Sequence, residues 1–521
     1  MHKNALYDLI QSLTSAEKRN IKIQMSGQGK KGDQKYLKLF DAIARQKEYD
    51  ETRLAKKFGY AANPNGLAVA KNYLFYMILR CLRFSGKGHA ARFDMAELLS
   101  NMETLYVKQQ FESCKKLVDR IMGIATENGW EDIVVLACNW NRKLLEHLLN
   151  ATDYMKAHEE IVEKEKEAVR HMKLNNNYFS LYQRLRVLNY KYGFIKKGEA
   201  LTEFNNLIKD PLLEDYEKAS TFLSKMYFLS FYAEYYEALR EHKERLKWNQ
   251  RLIGLFEENP QLKKTYSDQY LNALFNYLFN VLELRDYATF EKDIKQLTKL
   301  KLPAYEYELK KKKERSSLFL HLNYYNFTNQ VDKAINIVIP SVEKYFEKNK
   351  GILNKYLESG LLGTTAWTYY VSGNHERALE WIVMVDRYVD RNVFIDVYIR
   401  TRLLLMAIHY ELENFQYLDA LVNATLRFLE SRDKLNTLES FYLKFFKKVI
   451  ALDRDAKNHK QALLDLKEDI KTILNFVQEK SIFDIRIFLW WVDSQLSNVP
   501  VAEIIRAYFE KTNKKGQSKI A

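Results

Sequence analysis

Apolar residues recur at helical spacing along almost the whole chain, and turn-like residues interrupt them at regular intervals. Near the start, Tyr36, Leu37, Leu39, Phe40 and Ile43 mark one face of a helix over 35–46. Residues 2–25 read as one or two helices, with Thr14 and Glu17 spaced as a capping box. Residues 50–58 form a short basic helix. Leu67 to Phe84 is apolar almost all round, broken by Lys71, Asn72, Arg80 and Arg83, so this helix needs cover on several sides. From near residue 110 the pattern acquires a beat. A turn-like stretch gives way to an anchor residue, and a small or apolar residue follows three places later. The anchors are Phe111, Tyr154, Lys197, His242, Tyr287, Val331, His375, Phe415 and His459, spaced by 43, 43, 45, 45, 44, 44, 40 and 44 residues. A fixed period in this range predicts stacked helical hairpins, each too small to bury its apolar face alone.

Leu361–Tyr388 is the clearest unit. Its Ala366, Tyr369, Gly373 and Ala378 fall at the spacing of the small, aromatic, glycine and alanine positions of a tetratricopeptide repeat. The next unit offers Ala407, Tyr410 and Asn414, and asparagine also tolerates a left-handed backbone. The chain therefore resembles a tetratricopeptide-type array over 93–480, with units longer than the usual 34 residues and HEAT-like stacking as the other repeat family of similar period. Arg245 and Phe290 stand where the small residue belongs, a departure from the family pattern. The resemblance implies an all-α, right-handed α-solenoid of about nine hairpins. A small basic helical module, 1–92, precedes it, and capping helices with a basic tail, 481–521, follow. Pro340 interrupts the apolar helix Ala334–Phe346 and predicts a kink.

Composition agrees with helices joined by short connections, since 521 residues contain only 6 prolines and 17 glycines. The three cysteines, Cys81, Cys114 and Cys138, are far apart, which argues against a disulfide framework or zinc module and suits the cytoplasm. No apolar run is long enough for a membrane span. The net charge of +15 is uneven: residues 1–92 hold 18 Lys and Arg against 7 Asp and Glu. Such a module can attract nucleic acid, acidic protein segments or anionic lipid.

Motifs for chemistry are few. Gly27, Gly29 and Gly32 match a bare dinucleotide fingerprint but lack the strand before and the helix after that make it work. His242, His375 and His459 occupy equivalent helix-start positions, which a solenoid keeps apart, so they do not suggest a shared metal site. No catalytic constellation, cofactor site or metal site is predicted. The expected function is a non-enzymatic scaffold that binds an acidic peptide or partner protein on the concave face. Asn139, Arg142 and Lys143 on one first helix, with Arg186 and Asn189 on the next, could clamp a carboxylate. The alternative is a nucleic-acid-binding regulator, with the repeat array as sensor. Thr52–Gly59 resembles the first helix and turn of a helix-turn-helix, although the turn is too long and the next helix opens with Leu67-Ala68-Val69-Ala70. In that reading Arg45, Arg53, Lys56, Lys57 and Lys71 serve mainly as phosphate contacts.

Overall fold

A computed structural model describes residues 5–13, 15–27, 33–46, 49–61, 63–85, 91–148, 151–192, 199–302, 306–349, 355–388, 395–431, 437–451, 456–476 and 482–508. Thr14, the loop glycines Gly29 and Gly32, Lys197, Pro303 and the tail from Lys511 lie outside these residues. All regular structure among the described residues is helical. No described helix is long and apolar enough to cross a membrane. The chain divides into two compact units, parting between Ile121 and Met122 inside the helix Phe111–Glu127.

In the first unit, helices Ala5–Ser12, Ser15–Gly27, Asp33–Ala44, Glu51–Lys57 and Pro64–Ser85 share one core. Leu6, Ile10, Ile21, Phe40, Leu74 and Ile78 are among its fully covered side chains. The long fifth helix begins three residues before the expected Leu67. Pro64 needs no N–H bond at a first helical position, and the Asn63 side chain accepts from the Gly66 N–H at 2.9 Å. The basic helix Glu51–Lys57 is capped by Asp50, which accepts from the Arg53 N–H, and Gly59 follows it at a φ of +73°.

In the second unit, helices adjacent in sequence pack on one another, and tight turns join many of them. Phe222–Ala238 pairs with His242–Glu257, Lys355–Val371 with His375–Tyr388, and Ile395–Glu411 with Phe415–Glu430. Six of the nine anchors, Phe111 in the first unit and five in the second, share one backbone cause. Two residues before the anchors Phe111, His242, Tyr287, Val331, His375 and Phe415 stands a residue with positive φ: Gln109, Arg240, Arg285, Asn329, Gly373 and Glu413. At each, the next N–H bonds back five residues, as from Asp286 to the Val281 carbonyl and from Asn374 to the Tyr369 carbonyl. These bonds satisfy the carbonyls left open at a helix end and reverse the chain. Gly373 meets its sequence expectation, with a φ of +83°. In the following unit the left-handed residue is Glu413, and Asn414 sits at a φ of −83°. Asn414 instead gives its side-chain amide to His409 Nδ1 at 3.4 Å.

The third residue after the anchor is the packing residue. Cys114, Arg245, Phe290, Ala334, Ala378, Leu418 and Ala462 are all buried. Two departures from the expected hairpins have clear causes. Ala151–Tyr192 is one continuous helix of 42 residues, about 63 Å long, with no break after the Tyr154 anchor. Neither glycine nor proline occurs within it, so nothing in its backbone demands a turn. At Pro340 the helix continues through a single π turn, Ala334–Val338, in which the Ile339 N–H bonds back five residues to the Ala334 carbonyl. The wider turn relieves the clash that the proline ring would make with the carbonyl four residues behind it.

Candidate partner-binding surface

The residues expected to clamp a carboxylate are close together in sequence register but already engaged within the chain. Asn139, Arg142 and Lys143 lie on Glu131–Leu148. Arg142 makes a two-pronged pair with Glu165 of the long helix, Nη1 to Oε2 at 2.7 Å and Nη2 to Oε1 at 2.8 Å, and also donates to Asn139 Oδ1. Such a fork-to-fork pair consumes the geometry that would recognise an outside carboxylate. Lys143 is exposed, its ammonium 4.5 Å from the Trp140 ring centre. Arg186 and Asn189 lie on Ala151–Tyr192, beyond the point where a hairpin turn was expected. Asn189 donates to Glu234 Oε1 at 3.1 Å, and Arg186 lies 5.8 Å from the Tyr182 ring centre. Burial pushes the Glu234 carboxyl upward against the pull of the Asn189 bond and the Arg186 charge. Glu165 and Glu234 went unrecognised in the sequence because each acid lies on a different helix from the base it meets.

In the first unit Arg45, Arg53, Lys56 and Lys57 are exposed. Lys71 is not: it is buried, bonds Glu51 at 2.9 Å and faces the Tyr49 ring at 5.3 Å. Burial alone would favour its neutral form, but Tyr49 and Glu51 overcome that and raise its pKa. Its ammonium is neutralised from within, which removes it from the expected phosphate contacts.

The anomalous repeat position, Arg245, sits at the centre of a charged cluster in the second unit. Its Nη1 meets Glu283 Oε2 at 2.7 Å and Glu237 Oε2 closer still. His242 Nδ1 stands 3.3 Å from the same Glu283 oxygen, and Arg240 approaches the other at 3.7 Å. Burial would raise the Glu283 pKa, but His242, Arg245 and Arg240 together hold it below the ordinary carboxylate range. Glu237, His242 and Glu283 place possible ligand atoms within 4.8 Å of one another. Two guanidinium groups already neutralise both carboxylates, so the donor set suits an internal ion network better than a cation.

A second cluster had no sequence signal. Glu411 Oε1 accepts from Trp491 Nε1 at 2.9 Å, Gln495 Nε2 at 2.6 Å and the Tyr370 hydroxyl at 3.3 Å. Trp491 is 1% exposed, with Tyr410, Phe445 and Phe446 ring centres at 5.5, 5.7 and 5.8 Å. Thus Ile482–Ser497 is seated on three earlier helices, the ends of Lys355–Val371 and Ile395–Glu411 and the middle of Thr437–Ala451. The segment 501–508 reaches further back. With its amide turned so that oxygen and nitrogen suit their neighbours, the Asn329 side chain donates to the Ala502 carbonyl and accepts from Arg506 Nε, both at 3.2 Å, while the Arg285 guanidinium lies 5.8 Å from the Tyr508 ring centre. Asn329 and Arg285 are themselves left-handed turn residues. Comparison with protein-family models, curated proteins and solved structures finds no match to this chain.

Proposed function

We propose that this chain is a non-enzymatic interaction scaffold: a right-handed, tetratricopeptide-type array of about nine hairpins that binds a peptide or partner protein on its concave face. One observation carries the reading. The array already holds a helix of its own chain, through aromatic rings and one carboxylate contributed by three successive first helices. That is the chemistry by which a helical repeat surface takes up a foreign helix or peptide. Lys143 is exposed on one of the earlier first helices, its ammonium over the Trp140 ring, and it favours an acidic partner. Three buried cysteines outside any disulfide support a reducing compartment, the cytoplasm.

The test is affinity purification with the intact protein and its Lys143→Glu variant. The reading expects a partner that wild type recovers and the variant loses while thermal stability is kept. Recovery of the same partner by both proteins would remove Lys143 from the binding surface. Recovery through residues 1–92 alone would refute the array as the binding element.

A further inference from the structure

We propose that the N-terminal unit binds single-stranded nucleic acid by stacking bases on an exposed tyrosine platform, an activity separate from partner binding by the array. The platform lies on the helix Pro64–Ser85. Leu67, Ala70, Leu74, Ile78 and Cys81 face the core, which leaves Val69, Tyr73 and Tyr76 on the outside at 68, 50 and 62% exposure. Positions 69, 73, 76 and 80 form one stripe at helical spacing, so the exposed Arg80 continues it. Tyr36, from Asp33–Ala44, widens the surface with its ring centre 4.5 Å from that of Tyr73.

The charge around the rings selects the partner. Pro64–Ser85 contains no acidic residue. Lys35 and Lys38 are exposed on the helix that supplies Tyr36, where Asp41 is paired with Lys22 at 2.5 Å. Residues 1–92 carry 18 basic against 7 acidic side chains. Exposed rings with cationic neighbours are the two components of sequence-tolerant single-strand binding: every base has a face to stack, and every phosphate a charge to attract. Duplex readout by this helix is disfavoured. Lys71, the one base in its first half, is buried in an ion pair, which leaves that half without an exposed cation to fix it on a duplex backbone.

The experiment uses the full chain and a fluorescein-labelled 20-mer of thymidylate, followed by anisotropy across a salt series. Binding at low salt that weakens linearly on a log–log plot is expected. Tyr73→Ala and Tyr76→Ala should each weaken it by about fivefold or more with the salt slope unchanged, because stacking is lost and phosphate contacts are not. Tyr73→Phe and Tyr76→Phe should restore it, since the ring is what binds. Lys35→Gln and Arg80→Gln should instead reduce the slope. Unchanged helicity of each variant by circular dichroism separates these effects from unfolding. Absence of binding at low salt, equal affinity of the tyrosine-to-alanine variants, or tighter binding of a duplex of the same length would each overturn the proposal. So would a fall in sedimentation coefficient on replacing the tyrosines, which would make the stripe a contact between two copies of the chain.

Discussion

Arg245 Nη1 lies 2.7 Å from Glu283 Oε2, and this pair replaces a small apolar side chain at the packing position of the repeat. The other described packing positions that are buried hold alanine, cysteine, leucine or phenylalanine. A guanidinium is tolerated because Glu237, near the end of Phe222–Ala238, and Glu283, at the end of Ser267–Glu283, both reach it. Buried charges persist only when paired and hydrogen-bonded.

Removing one member should therefore cost more than removing the set. Arg245→Ala is expected to destabilise the protein by about 3 kcal/mol, because it strips Glu237 of its partner and leaves Glu283 only the more distant Arg240 and His242. The triple change Arg245→Leu, Glu237→Gln, Glu283→Gln should recover most of that loss. Denaturant midpoints at neutral pH measure both. A single variant no less stable than the triple would show that solvent already neutralises the acids.

The same cluster sets an acid dependence. The Glu283 pKa is depressed in the folded protein, so its contribution is complete above its ordinary value of 4.5 and is lost as pH falls through the lower folded value. Glu283→Gln should cost stability at pH 7, and the gap from wild type should close between about pH 5 and pH 3. Melting temperatures across that range decide the matter; a gap constant with pH would exclude Glu283 as the titrating group.

His409 is expected to act at milder acidity. It is buried, and desolvation lowers its pKa below 6.5, so the folded state prefers the neutral ring. Stability from this group is present above 6.5 and is lost as pH falls through the folded pKa. Protonation also removes the Nδ1 acceptor used by Asn414, beside the Glu413 turn. His409→Asn should flatten the stability profile between about pH 7 and pH 5 relative to wild type. A profile as steep as wild type would assign the transition to another group.

The period was legible because it arises from local chemistry. At six anchors a left-handed residue stands two places before and leaves a turn-like composition behind it, as at Gly373. It was not legible which turn residue carries the positive φ, because the paired back-bonds can hold glutamine, arginine or glutamate there as well as glycine. The unbroken helix Ala151–Tyr192 escaped for the opposite reason: an anchor recurred without a left-handed residue before it. Among the candidate binding residues, spacing located Arg142 and Asn189 on their helices but could not show that Glu165 and Glu234 reach them from elsewhere. The Glu411 cluster joins residues about 80 positions apart, beyond any local pattern.

Left-handed turns occupied by side chains leave room for stabilisation. Gln109 has a φ of 57° and is exposed. A Cβ in this conformation costs roughly 1–2 kcal/mol, part of which glycine returns through its greater unfolded entropy. Gln109→Gly should thus stabilise the protein by ~0.5–1 kcal/mol, while Gly373→Ala should destabilise it by a similar amount. Opposite shifts in denaturant midpoint are expected. Loss of stability in both variants would mean that the Gln109 side chain matters more than its backbone.

The Glu411 carboxylate is expected to latch the C-terminal helices onto the array. One oxygen accepts from Trp491 and Gln495, a pair one helical turn apart, and from Tyr370 on an earlier helix. Glu411→Ala strands three donors in a largely apolar setting, at ~1–3 kcal/mol for each buried group left unsatisfied. Glu411→Gln keeps an acceptor oxygen but gives up the charge assistance, so its effect should be smaller. Because 501–508 also bonds Asn329 and faces Arg285, loosening Trp491 should be felt at both turns. Hydrogen exchange in Glu411→Ala should accelerate over 489–508 and, to a lesser degree, around 285 and 329, with helices Ala5–Ser12 to Pro64–Ser85 unaffected. Faster exchange confined to Ile395–Glu411 would instead show that the aromatic rings around Trp491 hold the segment without the carboxylate.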